Sequence, residues 1–243
     1  MEEDVISDFE GFRRLVQSFR SHDGRFYRGE KRDDWRLIPK IGRITKEPKP
    51  DTIQIKGYGS ASLDEQQALE RFKAAARPFL SRTPESNWDW LALAQHHTLP
   101  TRLLDWTTNP LVALFFAIGE KVDAAWLARE RIDSPAYSGD AAFYVWRAKE
   151  SPIDVRTADP FDSEGYFFPA HFTARIPAQG GLFTIQREPH RPLGRARVRR
   201  YTIPFDARMK LREDLRLFGV TDALIYADLD AVARDIQERI TDF

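Results

Sequence analysis

Polar and charged side chains are packed most densely in residues 95–117, which read QHHTLPTRLLDWTTNPLVALFFA. His96 and His97 carry imidazoles, which can take up or release protons near neutral pH. Arg102 and Asp105 stand three positions apart with leucines between them. This pattern fits two interpretations: a partly buried ion pair that holds a turn together, or the polar floor of a ligand pocket.

The two adjacent histidines do not predict a metal site. Neighbouring residues on a helix point about 100° apart, so His96 and His97 cannot easily ligate one ion. No third ligand stands at a useful spacing from them. The chain also contains no Cys, which excludes disulfides, thiolate metal sites and Cys nucleophiles. We therefore expect no metal cofactor.

The stretch Phe26-Tyr27-Arg28-Gly29 is a second candidate for chemistry. An arginine flanked by apolar residues on a short strand needs a polar partner, because a buried unpaired charge is costly. Arg28 could pair with an acid such as Asp105, or its guanidinium could clamp a phosphate or carboxylate bidentately. Gly29 would let the backbone or a ligand come close.

A third candidate is the stretch AQGGLFTIQRE, residues 178–188. Two glycines precede a predicted strand, on which Gln186 and Glu188 would share a face. The alternative is an ordinary edge strand whose polar residues face water. Residues 185–200 hold six Arg against one Glu, a cluster that could contact phosphates or simply be a solvated face.

Length and composition indicate one large globular unit. The chain has 243 residues, 42% of them hydrophobic, and its 37 Lys and Arg balance 37 Asp and Glu. The acidic start MEEDVISDFEGF lacks the basic and apolar regions of a signal peptide. The uncharged run Trp106–Gly119 is too short to span a bilayer and contains Pro110. We expect a cytoplasmic protein without a membrane-spanning segment.

Hydrophobic periodicity predicts helices in the first half of the chain and strands in the second, which is typical of an α+β fold with a mixed or antiparallel sheet. Helices are predicted over Ser7–Arg20, Leu63–Leu80, Asn87–His97 and from Pro110 onward. Strands are predicted over Arg25–Gly29, Ala141–Arg147, Leu182–Gln186, Val198–Ile203 and Ala223–Tyr226. In the helix that begins at Pro110, the spacing predicts that Leu111, Leu114, Phe115 and Ile118 are buried.

Together the three candidate stretches resemble the FRG domain, a family of bacterial domains named for a Phe/Tyr-Arg-Gly signature. Its signature matches residues 26–29, and residues 95–117 are the most specific match. Other matching positions are Trp35, Leu37, Pro39, Arg175, Gln179, Gly181, Phe183 and the Asp-Leu-Asp close within 223–233. The resemblance spans about Phe9 to Ile240 and implies a single FRG-type domain over residues 1–243.

The order of three segments is also similar to that of ADP-ribosyltransferases, although their Ser-Thr-Ser element is missing. These segments are Tyr27-Arg28-Gly29, Asp105-Trp106-Thr107 before an apolar helix, and Gln186-Arg187-Glu188. The resemblance implies a similar fold and an enzyme that binds NAD and transfers or hydrolyses its ADP-ribose. Such an enzyme would act as a toxin or effector, for example in phage defence, on a protein or nucleic-acid acceptor.

The same resemblance implies roles for individual residues. Arg28 would hold a phosphate of NAD, and Glu188 would stabilise the oxocarbenium-like transition state by its charge. His97 is a further catalytic candidate. The residues expected to contact the dinucleotide are Tyr27, Arg28, Gly29, His96, Arg102, Asp105, Trp106, Thr107, Gln179 and Phe183. If Glu188 is a surface residue, Gln179 could be the pocket residue, and binding of a nucleotide without cleavage becomes an alternative.

Two other functions stay open at this stage. One is a non-catalytic ligand-sensing or interaction domain, in which the polar groups of residues 95–107 satisfy one another. The other is a metal-independent nuclease, with His96 or His97 as the general base and the Arg-rich run on phosphates.

Overall fold

A six-stranded antiparallel sheet forms the centre of the protein in a computed structural model that describes residues 4–19, 24–44, 61–119, 139–170, 175–194 and 198–241. The strands are β1 (Arg25–Glu30), β2 (Leu103–Thr107), β3 (Ala141–Arg147), β4 (Gly165–Phe167), β5 (Gly181–Ile185) and β6 (Val198–Ile203), in the order β4-β5-β2-β1-β3-β6. Each neighbouring pair of strands is antiparallel. This confirms the predicted α+β class and, of the two sheet types expected, the antiparallel one.

Helices cover the sheet and fill the connections between its strands. They are α1 (Phe9–Ser18), α2 (Lys40–Ile44), α3 (Ala61–Ala76), α4 (Asn87–His96), α5 (Pro110–Ile118), α6 (Arg175–Gln179), α7 (Ala207–Leu217), α8 (Asp222–Tyr226) and α9 (Leu229–Thr241). Residues 77–79 and 160–162 form short 3-10 turns. The predicted helices in the first half are thus confirmed, although Arg20, the end expected for the first, lies outside the described residues.

The strand predicted over Ala223–Tyr226 is wrong, because these residues belong to helix α8. Thr221 caps the helix, and its hydroxyl oxygen accepts a hydrogen bond from the Leu224 amide at 3.4 Å. Ala227 then ends it in a left-handed conformation, with φ of 50°. A short apolar run is compatible with a strand or with one buried helical turn. Here the capping residue Thr221 is the signal that distinguishes the helix.

Helix α5 is the most deeply buried helix of the core. Asn109 caps it by accepting a hydrogen bond from the Leu111 amide at 2.9 Å, and Pro110 occupies the first turn. Leu114, Phe115 and Ile118 are buried, as their spacing predicts, and Leu111 is half-buried against the same core. The residues that α5 meets on the sheet include Tyr27, Phe143, Val145, Tyr201 and Ile203.

Close contact between α5 and β1 depends on Gly29. A Cβ atom on Gly29 would lie 2.0 Å from the Ala113 carbonyl oxygen and 2.4 Å from the Ala117 nitrogen. Both are backbone atoms, so no side chain can move aside to make room. The glycine therefore serves the approach of one backbone to another, the first of the two roles that the sequence suggested for it.

Strands β1 and β2 separate along most of their length. They are joined at one register pair, Tyr27 with Thr107, whereas β1 and β3 share six pairs and β2 and β5 share five. Helix α4 packs against Leu103 and Phe183 on one side of this separation, and α5 packs against Tyr27 on the other. The sheet consequently has an opening at its centre, between β1 and β2.

We predict that Gly29→Ala lowers the free energy of unfolding by about 3 kcal/mol or more, because the new methyl group overlaps the α5 backbone. Gly194→Ala is the matched control, since a Cβ there meets no atom within 4 Å. Urea denaturation of both variants measures the difference. Equal stabilities would show that α5 does not press against β1 at this point.

Candidate functional site

A cleft of about 550 Å³ lies at the opening between β1 and β2. Its volume is within the range of roughly 300–1,000 Å³ that is usual for small-molecule sites. The residues expected from the sequence that line it are Tyr27, Arg28, Gly29, His96, Asp105, Trp106, Thr107, Gln179 and Phe183. They come from β1, α4, β2, α6 and β5, so the fold brings together residues that are far apart in sequence. His97, Arg102 and Glu188 are not among the lining residues.

Arg28 crosses the opening between the two strands. Its Nε and Nη2 atoms donate to one Glu30 carboxylate oxygen at 2.9 and 2.5 Å, and its Nη1 donates to the Asp105 backbone carbonyl at 2.6 Å. Burial opposes the charge, but Glu30 and Asp105 outweigh it, so the pKa of Arg28 is raised. The sequence suggested Asp105 as a partner, and Glu30 is a second, closer one.

The Asp105 carboxylate faces the cleft. Its side chain is 59% exposed although Leu104 and Trp106 on either side are buried. One carboxylate oxygen accepts a hydrogen bond from Gln95 Nε2 at 2.9 Å and lies 3.6 Å from Arg28 Nη1. Gln95 is oriented by Thr101, whose hydroxyl donates to the amide oxygen at 2.7 Å. Asp105 is thus a fixed negative charge with access to a ligand.

Thr107 and Gln179 hold the wall of the cleft together. The Thr107 hydroxyl donates to the Gln179 backbone carbonyl at 2.5 Å, and it accepts from the Asn109 amide at 2.9 Å. The Gln179 side-chain amide donates to the Ile225 carbonyl at 3.1 Å. These bonds join β2, α6 and α8, so both side chains have a structural role besides their place on the cleft surface.

His96 lines the cleft, whereas its neighbour His97 is exposed and lies outside it. Burial, and then the positive charges of Arg175 and His97, lower the pKa of His96 from 6.5 to about 4, against smaller effects of Asp105 and Asp228. The imidazole of His96 is therefore neutral at pH 7. The structure brings only one of the two candidate histidines to the site.

Arg102 is buried beneath the sheet and does not pair with Asp105. Its Nε donates to Glu65 at 2.8 Å, the Glu65 carboxylate also accepts from the Arg102 backbone amide at 2.7 Å, and both side chains are almost fully buried. Arg102 Nη1 donates to the Phe161 carbonyl at 2.9 Å. Burial raises the pKa of Glu65 despite Arg102. The ion pair expected between Arg102 and Asp105 is therefore wrong, because Glu65 is the acid that pairs with Arg102.

Glu188 lies on the surface, away from the cleft. Strand β5 ends at Ile185, so Gln186 and Glu188 do not share the face of a strand. The Glu188 carboxylate is 2.6 Å from Arg191 Nε, and both side chains are mostly exposed. Residues 195–197 of the Arg-rich run lie outside the described residues. The geometry gives the proposed catalytic role of Glu188 no support.

Several cleft residues were not identified as site residues from the sequence, namely Glu30, Trp35, Gln95, Arg175 and Tyr226. Glu30 directly follows the Phe-Tyr-Arg-Gly stretch, and alternation on β1 places it on the same face as Arg28. Tyr226 was hidden by the wrong strand assignment of α8. Arg175 had matched the family pattern without being given a role.

The FRG domain family model matches residues 24–125. The matched residues include β1, β2 and helices α2 to α5, and over them the match confirms the resemblance to the FRG domain that is seen in the sequence. No curated protein and no solved structure matches the chain. In the part of the chain that the structure describes, no helix is long and apolar enough to cross a membrane. The same residues contain no group of three His, Asp or Glu placed to hold a metal ion.

The lowered pKa of His96 predicts a specific pH dependence of stability. Between pH 6.5 and about 4 the unfolded chain takes up a proton at His96 that the folded protein does not, so stability falls as the pH falls through this window. His96→Asn should reduce that loss, while His97→Asn at the exposed neighbour should not. Urea denaturation from pH 7 to 4 measures the slopes, and identical slopes for the protein and His96→Asn would contradict the account.

Proposed function

We propose that the cleft binds a dinucleotide of the NAD type and that the protein transfers or hydrolyses its ADP-ribose. The convergence of Arg28, Asp105 and Gln179 on one cleft is the observation on which this proposal rests. A toxin or phage-defence role, acting on a protein or nucleic-acid acceptor, is the biological setting that the proposal implies.

The charge of the cleft favours an anionic ligand. Among the described residues, its lining carries four cationic side chains and two carboxylates, a balance of two positive charges. The cations are Arg28, Lys31, Arg175 and Arg234, and the carboxylates are Glu30 and Asp105. A dinucleotide carries two phosphates, so its charge complements this balance.

Aromatic side chains in the cleft suit a ligand with flat rings. Trp35, Trp106, Phe116 and Tyr226 all contribute to its lining. Stacking on an aromatic ring is favourable for any base, and NAD contains both an adenine and a nicotinamide ring. A volume of about 550 Å³ is sufficient for a ligand larger than a free phosphate or a single ring.

Asp105 is the carboxylate that can assist cleavage, because it is the exposed acid of the cleft. In the reaction the bond between nicotinamide nitrogen and ribose C1′ breaks, and its electron pair leaves with nicotinamide. The positive charge that develops on the ribose would be stabilised by the fixed Asp105 carboxylate. Water or an acceptor then bonds to C1′ and loses a proton to solvent. Asp105 thereby takes the electrostatic role that the resemblance had implied for Glu188.

A ligand-sensing domain without catalysis is the second candidate. A hydrogen bond from Gln95 and an ion pair with Arg28 at 3.6 Å already engage one oxygen of the Asp105 carboxylate, as expected for a group that only binds. This alternative predicts NAD binding without release of nicotinamide. For a nuclease, the low pKa of His96 makes a weak base and His97 is outside the cleft, so no observation favours it.

The proposal predicts that NAD raises the melting temperature and that the protein releases nicotinamide. A ligand at 100 times its dissociation constant stabilises the folded state by about 2.7 kcal/mol. Asp105→Asn should keep this thermal shift but release nicotinamide about 100-fold more slowly, because loss of the charge affects mainly the transition state. Differential scanning fluorimetry and chromatography of the products measure the two quantities.

Two carboxylate variants complete the test. Glu85→Gln, at an exposed residue paired with Arg82, is a control that should change neither quantity. Glu188→Gln should also behave like the unchanged protein; if it alone stops nicotinamide release, Glu188 and not Asp105 is the essential acid. No thermal shift at millimolar NAD would contradict the proposal as a whole.

A further inference from the structure

Arg175 differs from the other arginines of the cleft because its guanidinium has no acidic partner in the described part of the chain. It lies at the start of α6, half-buried, and its Cζ atom is 4.7 Å from the centroid of the Tyr226 ring. When a guanidinium stacks on an aromatic ring, its N–H groups point outward in its own plane. They therefore stay available to donate hydrogen bonds to a ligand. Arg175 is therefore a positive charge beside the Tyr226 ring that no acid among the described residues neutralises.

Arg28 is in the opposite situation. All three of its side-chain nitrogens donate to Glu30 or to the Asp105 carbonyl. The Glu30 carboxylate is largely buried with it, so the pair is closed off from solvent. For Arg28 to clamp a phosphate, it would have to break its bonds to Glu30 or the bond to the Asp105 carbonyl that links β1 to β2. Its geometry is that of a positioning residue.

A second guanidinium reinforces the charge at Arg175. The Cζ atom of Arg234 lies 5.4 Å from the centroid of the same Tyr226 ring, and its Nε donates to Asp222 at 3.2 Å. Both arginines line the cleft. Two guanidiniums near one ring repel each other, and an anion bound beside Arg175 reduces that repulsion. Tyr226 itself is held by edge contacts with Phe115 and Phe116.

We infer that Arg175, with Arg234 beside it at Tyr226, binds the phosphate or diphosphate group of the ligand, and that Arg28 does not. The identification of the ligand as a dinucleotide rests on the proposed function. The anion site rests on the arginine geometry alone and requires neither catalysis nor a nicotinamide ring.

His96 provides a way to observe this site directly. Its pKa is lowered by burial, then by Arg175 on α6 and by His97, while Asp105 on β2 and Asp228, just before α9, act in the opposite direction. An anion bound at Arg175 cancels part of the positive charge that His96 feels. The pKa of His96 should therefore rise when the site is occupied.

The test uses inorganic diphosphate, which carries the proposed anionic group without base or ribose. Calorimetric titration should show that Arg175→Gln weakens its binding about 10- to 100-fold, the loss expected for one charge-assisted hydrogen-bonding group. Arg82→Gln removes a mostly exposed arginine paired with Glu85 outside the cleft and should leave the affinity unchanged. Equal affinities for the protein and Arg175→Gln would overturn the inference.

Titration of the His96 ring signals by NMR gives a second measurement. Diphosphate should raise the pKa of His96 in the unchanged protein and have no effect in Arg175→Gln. Without any ligand, Arg175→Gln should itself raise this pKa above about 4, because a nearby positive charge is removed. That result also shows that the variant is folded. If diphosphate changes the pKa of His96 equally in the unchanged protein and in Arg175→Gln, diphosphate does not bind at Arg175 and the inference is wrong.

The same variants separate this inference from the proposed function. If diphosphate requires Arg175 but NAD neither binds nor is cleaved, the anion site stands and the proposed function fails. If NAD is cleaved with an unchanged KM in Arg175→Gln, the proposed function stands and the anion site fails. If diphosphate binds equally weakly to Arg175→Gln and to Arg82→Gln, the effect is an unspecific ionic one. That result would overturn the inference.

Discussion

The guanidinium of Arg28 spans the central opening of the sheet, and the cleft depends on this bridge. Where β1 and β2 stop pairing, the Asp105 carbonyl loses a partner on β1, and the Arg28 side chain supplies the missing donor at 2.6 Å. Glu30, two positions along β1, balances the charge. Removing one member of such a pair leaves a buried charge without compensation, which is strongly destabilising. The bridge allows the strands to diverge without leaving the backbone unsatisfied.

The Phe-Tyr-Arg-Gly stretch is explained by packing on the two faces of β1. Phe26 packs with Trp146 and Tyr166 in one core cluster, and alternation along the strand places Tyr27 in the other, beneath α5. Gly29 admits the α5 backbone. The stretch with the Phe/Tyr-Arg-Gly signature therefore builds the opening and its walls, and residues from α6 and α8 complete the lining of the cleft.

Periodicity and capping are local signals, and they were sufficient to predict helices α1, α3, α4 and α5 and strands β1, β3, β5 and β6, but not β2 and β4. The helix after Asn109-Pro110 and the continuous apolar strand Ala141–Arg147 carry these signals clearly. Partners that are distant in sequence could not be predicted in the same way. Glu65 neutralises Arg102 across 37 positions, and no local pattern distinguishes it from any other acid on a helix. Glu188 was selected by a two-residue spacing on an assumed strand, but β5 ends three residues earlier.

The central claim is that the opening between β1 and β2 is the ligand site for an NAD-type dinucleotide. Photolabelling with an azido-adenine analogue of NAD, followed by mass spectrometry of the peptides, tests it most directly. The account predicts labelling of cleft residues such as Trp35 or Tyr226, and it predicts that excess NAD prevents that labelling. Labelling confined to residues outside the cleft, or labelling that excess NAD does not reduce, would contradict it.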